Sequence, residues 1–280
     1  MIHIENVSFR YKRRPFLFDG LSLSLDGGSI YGLLGLNGAG KTTLLKIIMG
    51  MLFPKNGACH VSGYDSQNRT PAMLADMFIV PEEFYAPDMS IERYVDLYAP
   101  FYPSFRHEQF KAYMNELELF GGERFNSFSL GQKKKAALAF ALAANTRVLL
   151  LDEPTNGLDI PSKTQFRRML ASVAADNRCI VISTHQVRDI EKLIDRVVVL
   201  DNGQITLNRS VEEITTKLSF CNVPELTGNE LYSESCIEGY QTVLQNTDDE
   251  PTHLDLELLF NALMKNSRAV QNVFNQSIKL

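Results

Sequence analysis

Eight consecutive residues, Gly35-Leu36-Asn37-Gly38-Ala39-Gly40-Lys41-Thr42, fit the pattern GxxxxGK[ST]. Glycines at this spacing let successive backbone N–H groups turn inward around phosphate oxygens. The lysine meets β/γ charge, and the hydroxyl offers a hard ligand to Mg²⁺. Asn37, Gly38, Gly40, Lys41, Thr42 and Thr43 are therefore candidate nucleotide ligands. A second stretch, "VLLLDEP", ends an apolar run on two carboxylates. Asp152, leaving a buried strand end, suits Mg²⁺, and Glu153 would orient a water towards the γ-phosphate. In "ISTHQ", His185 follows another apolar run and is placed for the same phosphate.

The stretch "FSLGQKKKAALAF" (Phe128–Phe140) raises a different question. An Ala-rich helix starts here, yet Lys133, Lys134 and Lys135 crowd its first turn, where the helix end already favours anions over cations. Either something strongly negative rests there, or three solvated side chains bend away at little cost. For Lys134 the solvated reading is preferred.

These residues need a scaffold. Val7, Phe9 and Tyr11 of "VSFRY" alternate onto one face, and "LSLSL" (Leu21–Leu25) repeats the period of two expected of strands. "SIYGLL" feeds the glycine loop, and "LLKIIMG" continues as a helix. Thr70 and Pro71 read as an N-cap and first helical position. From about residue 87 to 145 the pattern is helical, broken by Pro100 and Pro103. "VLLL" and "CIVIS" read as strands buried on both faces of a parallel sheet, and "RVVVLDNGQIT" as a hairpin. Strand signals around Tyr240–Leu244 and a helix beginning near "DLELLFNALM" follow.

The 280 residues carry a formal net charge of −5. Residues 201–280 hold 12 acidic against 5 basic side chains, so the rest is slightly basic and a compositional boundary falls near residue 205. No basic face of the kind nucleic acid requires is evident. Four scattered cysteines without a metal-ligand spacing suit a reduced, cytoplasmic chain. No apolar leader opens the sequence. Its longest apolar run, Ala136–Ala144, is half what a bilayer span needs.

The P-loop, "FSLGQ", "LLLDEP", "NGLD" and "STH", in this order, resemble the ATP-binding cassette (ABC) ATPase family over residues 1 to about 205. The resemblance implies an α/β fold. A P-loop NTPase core would carry an N-terminal antiparallel β subdomain, a helical insertion (about 86–146) and a small α+β C-terminal extension (206–280). It implies that Ser129, Gly131 and Gln132 contact ATP bound to an opposite subunit, and that Asp159 reaches across the same interface. The triphosphate would then be the anion awaited by the helix beginning at Gly131. Tyr11 matches the aromatic that stacks on adenine, with plain packing beneath Phe9 as the alternative.

Two positions depart from the pattern. Leu130 stands where the signature motif has glycine, and Glu82 stands at the usual glutamine before the helical insertion. Tyr85, Tyr94, Tyr98, Phe101 and Tyr102 either line the cleft that receives a membrane subunit or fill the insertion's own core. The implied protein is a Mg²⁺-dependent ATPase subunit of a bacterial exporter-like ABC transporter. It would form a homodimer around two ATP, peripheral on the cytoplasmic face of the membrane, and drive a separate transmembrane permease subunit. A soluble ABC ATPase acting on a macromolecular assembly, or an ATP-gated switch with little turnover, are the alternatives.

Overall fold

The computed structural model describes residues 1–119, 122–173, 177–248 and 250–275. The chain opens with the antiparallel pair β1 (Ile2–Phe9) and β2 (Phe18–Leu25), followed by β3 (Ser29–Leu34) and helix α1 (Lys41–Ile48). Strands β4 (Asn56–Val61) and β5 (Tyr64–Asp65) complete an antiparallel sheet in the order β2-β1-β4-β5. In β2 the leucines of "LSLSL" are buried and the serines exposed, as the period of two requires. Tyr11 departs from its expected place. Strand β1 ends at Phe9, so Tyr11 leaves the sheet face and stands 45% exposed in the loop.

Next come α2 (Pro71–Leu74), capped by the Thr70 hydroxyl, and β6 (Met77–Val80). The helical insertion carries α3 (Ile91–Tyr98), α4 (His107–Glu116) and α5 (Leu130–Ala143). Strand β7 (Val148–Asp152), helix α6 (Ile160–Val173), strand β8 (Cys179–Thr184) and the hairpin of β9 (Arg196–Asp201) and β10 (Gln204–Ser210) return to the core. Asn202 and Gly203 both take positive φ in the tight turn of that hairpin, the geometry that matches strand twist. The central sheet runs β10-β9-β3-β8-β7-β6, parallel throughout except for the edge strand β10.

All of β7 and β8 is buried, which accounts for their unbroken apolar runs. Alternate residues go to opposite faces. Leu149, Leu151, Ile180 and Ile182 join the core beneath the helical insertion, while Val148, Leu150, Cys179 and Val181 pack towards the antiparallel sheet.

The insertion's aromatics divide between core and solvent. Tyr94 and Tyr102 pack against the ring of buried Phe140, and burial pushes both phenols above their ordinary range. Phe84 packs on Phe125, and Tyr98 on Tyr94. Tyr85 and Phe101 instead stand in solvent, 89% and 65% exposed.

After β10 come α7 (Val211–Lys217), then β11 (Leu218–Val223), β12 (Tyr232–Cys236) and β13 (Gly239–Gln245), paired in the order β11-β13-β12, and finally α8 (Leu256–Asn275). Val243, Leu259 and Leu263 of this segment belong to the same apolar core as β7 and β8.

Candidate nucleotide-binding site

Register brings the sequence motifs together. Leu34, the last residue of β3, pairs with Thr184 at the end of β8, and Asp152 at the end of β7 pairs with Ser183. The loops leaving these three adjacent strands therefore emerge side by side at the carboxyl edge of a parallel sheet, where such sheets bind ligands.

The glycine loop is shaped by close approach. A Cβ on Gly35 would lie 2.5 Å from the Leu200 carbonyl oxygen, and one on Gly40 2.7 Å from the Phe18 ring. Gly40 also takes a φ of 108°, open to glycine alone at little cost, and it starts α1. Lys41 follows, 7% exposed, and its Nζ donates to the carbonyls of Gly35 (2.7 Å) and Leu36 (3.3 Å). Glu153 Oε1 lies 3.9 Å away. Burial pulls the Lys41 ammonium below the usual lysine range, against the attraction of Glu153, Asp152 and Glu82.

Thr42 Oγ1 donates to Asp152 Oδ2 at 2.7 Å, and Ser183 Oγ holds the other oxygen of that carboxylate. Glu153 is buried and takes a φ of 46°, a left-handed conformation unusual for a side chain of its size. Its backbone N–H donates to the Ser183 carbonyl at 3.0 Å. The turn directs its carboxylate between the Thr184 hydroxyl (3.1 Å) and His185 Nδ1 (2.8 Å). Lys41, Thr42, Glu153 and His185 all line one cleft of about 770 Å³, together with Asn37, Gly38, Gly40, Thr43 and Glu82.

Tyr11 reaches the same cleft from outside the sheet. Its hydroxyl lies 2.9 Å from Thr43 Oγ1, and its ring meets Phe9 edge-on at 5.0 Å. Sequence reading did not single out Phe16, which also lines the cleft, is 44% exposed and carries the Arg10 guanidinium over its ring at 5.1 Å. An apolar residue inside the basic loop "KRRPF" was the available signal. Thr184 was equally overlooked, although it directly precedes His185.

Ser129, Gly131 and Gln132 do not line this cleft. Ser129 caps α5. Its Oγ accepts from the Gln132 N–H at 3.2 Å, and Gln132 Oε1 accepts from the Ser129 N–H at 3.0 Å, a reciprocal capping box. Leu130 beside them is 82% exposed, as is Ile160 at 81%. Asp159 accepts from the N–H and hydroxyl of Ser162, and these two donors hold its carboxyl below the ordinary range. Glu82 accepts from Asn156 Nδ2 at 3.2 Å, and Asn156 Oδ1 in turn accepts from Gln186 Nε2.

Lys134 corrects the sequence reading. It is 6% exposed, not solvated, and its Nζ donates to the backbone carbonyls of Glu153 (2.6 Å) and Asn156 (3.1 Å). Helical periodicity could not reveal this, because the acceptors come from a turn some twenty residues on.

A parallel sheet with a glycine-rich loop, a buried lysine and two carboxylates at its carboxyl edge defines a P-loop nucleotide-binding protein. The family model described as ABC transporter matches residues 18–156. MetN, a methionine import ATP-binding protein of Carboxydothermus hydrogenoformans, is 34% identical over 230 residues, 76% of this chain and 67% of that protein. The Nod factor export ATP-binding protein I of Burkholderia lata is 30% identical over 233 residues, 81% of this chain and 76% of that protein. A dimeric ATP-binding cassette solved in a post-hydrolysis state with ADP and Pi shares the fold. It has a TM-score of 0.66 and 22% identity, over 75% of this chain and 98% of that one. The chain belongs to the ABC transporter family, as an ATP-binding subunit of the ATPase type.

Proposed function

We propose that this chain hydrolyses ATP between two copies of itself, arranged head to tail, and thereby drives a transmembrane permease subunit at the cytoplasmic face of the membrane. The observation that carries this reading is the division of the site. Lys41, Thr42, Glu153 and His185 share one cleft with Asp152 beside it, whereas the capped turn Ser129–Gln132 is exposed elsewhere. A two-fold pairing would bring each capped turn to the other copy's cleft and trap a triphosphate between them.

In this reading Lys41 neutralises β/γ charge, and the N–H groups of Asn37, Gly38, Gly40 and Thr43 cradle the phosphates. Ser129, Gly131 and Gln132 meet the γ-phosphate from the partner copy. The Thr42 hydroxyl and Asp152 carboxylate, hard oxygen donors 2.7 Å apart, fit Mg²⁺, which typically takes few protein ligands beside phosphates and water. The bound ion would offset charge on the β and γ oxygens. Glu153 accepts the proton of a water whose oxygen attacks the γ-phosphorus, the bond to the β-phosphate oxygen breaks, and ADP and phosphate leave. His185 and Thr184 keep the Glu153 carboxylate aimed. Glu82 occupies the cleft wall between the site and the helical insertion, from which Tyr85 projects towards the permease.

The transport direction we propose is outward. The export relative is matched over more of both chains, whereas the import relative is the more identical, 34% against 30%.

Two results test this reading. Phosphate released per chain should rise with protein concentration and then level off, because each site needs a second copy. Activity per chain that is independent of concentration across the range where the protein passes from monomer to dimer would refute shared sites. Tyr11→Ala should weaken ATP binding by about 1–2 kcal/mol, roughly 5- to 30-fold, if its ring supports the base. Unchanged affinity in titration calorimetry would leave Tyr11 as a packing residue for Phe9.

A further inference from the structure

We infer that Lys134 is a positioning residue for hydrolysis: its side chain fixes the Glu153–Asn156 turn and ties it to the helix whose N-terminal turn meets the partner's ATP. The inference rests on the proposed role of Glu153 and the proposed two-copy site.

The turn needs such support. Glu153 holds a positive φ that persists in a side-chain-bearing residue where the surroundings impose it. One anchor is the Glu153 N–H on the Ser183 carbonyl, and another is the Asn156 N–H on the Glu153 carbonyl at 3.2 Å. Lys134 supplies a further pair. One ammonium binds the carbonyls at both ends of the turn, at 2.6 and 3.1 Å. Because the Glu153 carbonyl and carboxylate belong to one residue, a shift of that carbonyl also moves the base relative to Thr184 and His185.

A structural role in the core would be served more cheaply by an apolar side chain, since an ammonium buried at 6% exposure is costly to desolvate. Burial indeed lowers the ease with which Lys134 holds its proton, opposed by Glu82, Glu153 and Asp152. The charge therefore sits where three site carboxylates attract it and where it grips two carbonyls. Its helix, α5, is the one that Ser129 caps. Docking of a triphosphate on the first turn of α5 would thus act on Glu153 through a single side chain, with no rearrangement of the sheet.

The test compares Lys134→Met, Lys134→Arg and Glu153→Gln in the full chain, by phosphate release, binding of a fluorescent ATP analogue and thermal melting. Lys134→Met should lower kcat about 10- to 100-fold while KM and analogue affinity stay within about threefold. Lys134→Arg, which keeps charge and donors, should recover most of the rate. If Lys134→Met melts below the assay temperature, Lys134→Leu, which likewise lacks donors, carries the same comparison at a temperature below its melt. Wild-type kcat in the Met or Leu variant overturns the inference. So does a parallel loss of ATP binding, turnover and melting temperature that arginine does not rescue, because that pattern belongs to a core residue. Wild-type turnover in Lys134→Met with a dead Glu153→Gln removes this inference alone. Wild-type turnover in both removes the reading of Glu153 as base as well.

Discussion

Glu153→Gln should lower the rate of phosphate release about 10³-fold and leave ATP affinity within about threefold of wild type. The amide is nearly isosteric and still accepts from the Thr184 hydroxyl and faces His185, so the turn is preserved. What it loses is the capacity to take a proton from water. Binding should be spared because the residues proposed to grip phosphate belong to a different loop. Glu153 stands 3.9 Å from Lys41 Nζ, where in this reading it is a countercharge and not a ligand for ATP. Steady-state phosphate release and analogue titration on the same preparation measure both halves of the expectation. A variant with near wild-type turnover would move the base elsewhere, and a variant that no longer binds ATP would make Glu153 part of the cradle.

Lys41→Ala should instead weaken ATP binding by on the order of 2–5 kcal/mol, raising the dissociation constant roughly 30- to several-thousand-fold. The ammonium is buried, and its two carbonyl partners and Glu153 all lose their cation together. Lys41→Arg should rescue poorly. A planar five-donor fork is bulkier than a point charge in a space where lysine is already 7% exposed. The same burial predicts a pH dependence. Because burial lowers the lysine's value, its charge is lost on the alkaline side sooner than for a free lysine. ATP affinity should therefore decline with rising pH before ordinary lysines titrate, and calorimetry across alkaline buffers measures the midpoint.

The candidate site was legible where chemistry is local in sequence. GxxxxGKT, the DE pair after "VLLL" and the His after "CIVIST" each combine a buried strand with the first residues past its end. A parallel sheet then brings strand ends together whatever the connections between them. The burial of β7 and β8 on both faces was likewise written in their unbroken apolar runs. What was not legible depends on elements meeting across the fold. Lys134 looks like one of three equivalent surface lysines until the 153–156 turn is seen lying against α5. Tyr11 continues an alternating pattern, yet the strand stops at Phe9 and frees it for the cleft. Phe16 sits in a loop with no period at all. The aromatics of the insertion divide between core and solvent according to which side of α3 and its flanking turns meets Phe140, a distinction composition does not hold.

The central claim, that one copy's capped α5 turn completes the other copy's ATP site, is tested most directly by the mass of Glu153→Gln in solution. Light scattering would be measured with and without Mg·ATP, at ATP concentrations shown by titration to saturate the chain. A dimer that forms with Mg·ATP and returns to monomer when the nucleotide is removed is the predicted result. A chain that is saturated with ATP and remains monomeric would contradict it.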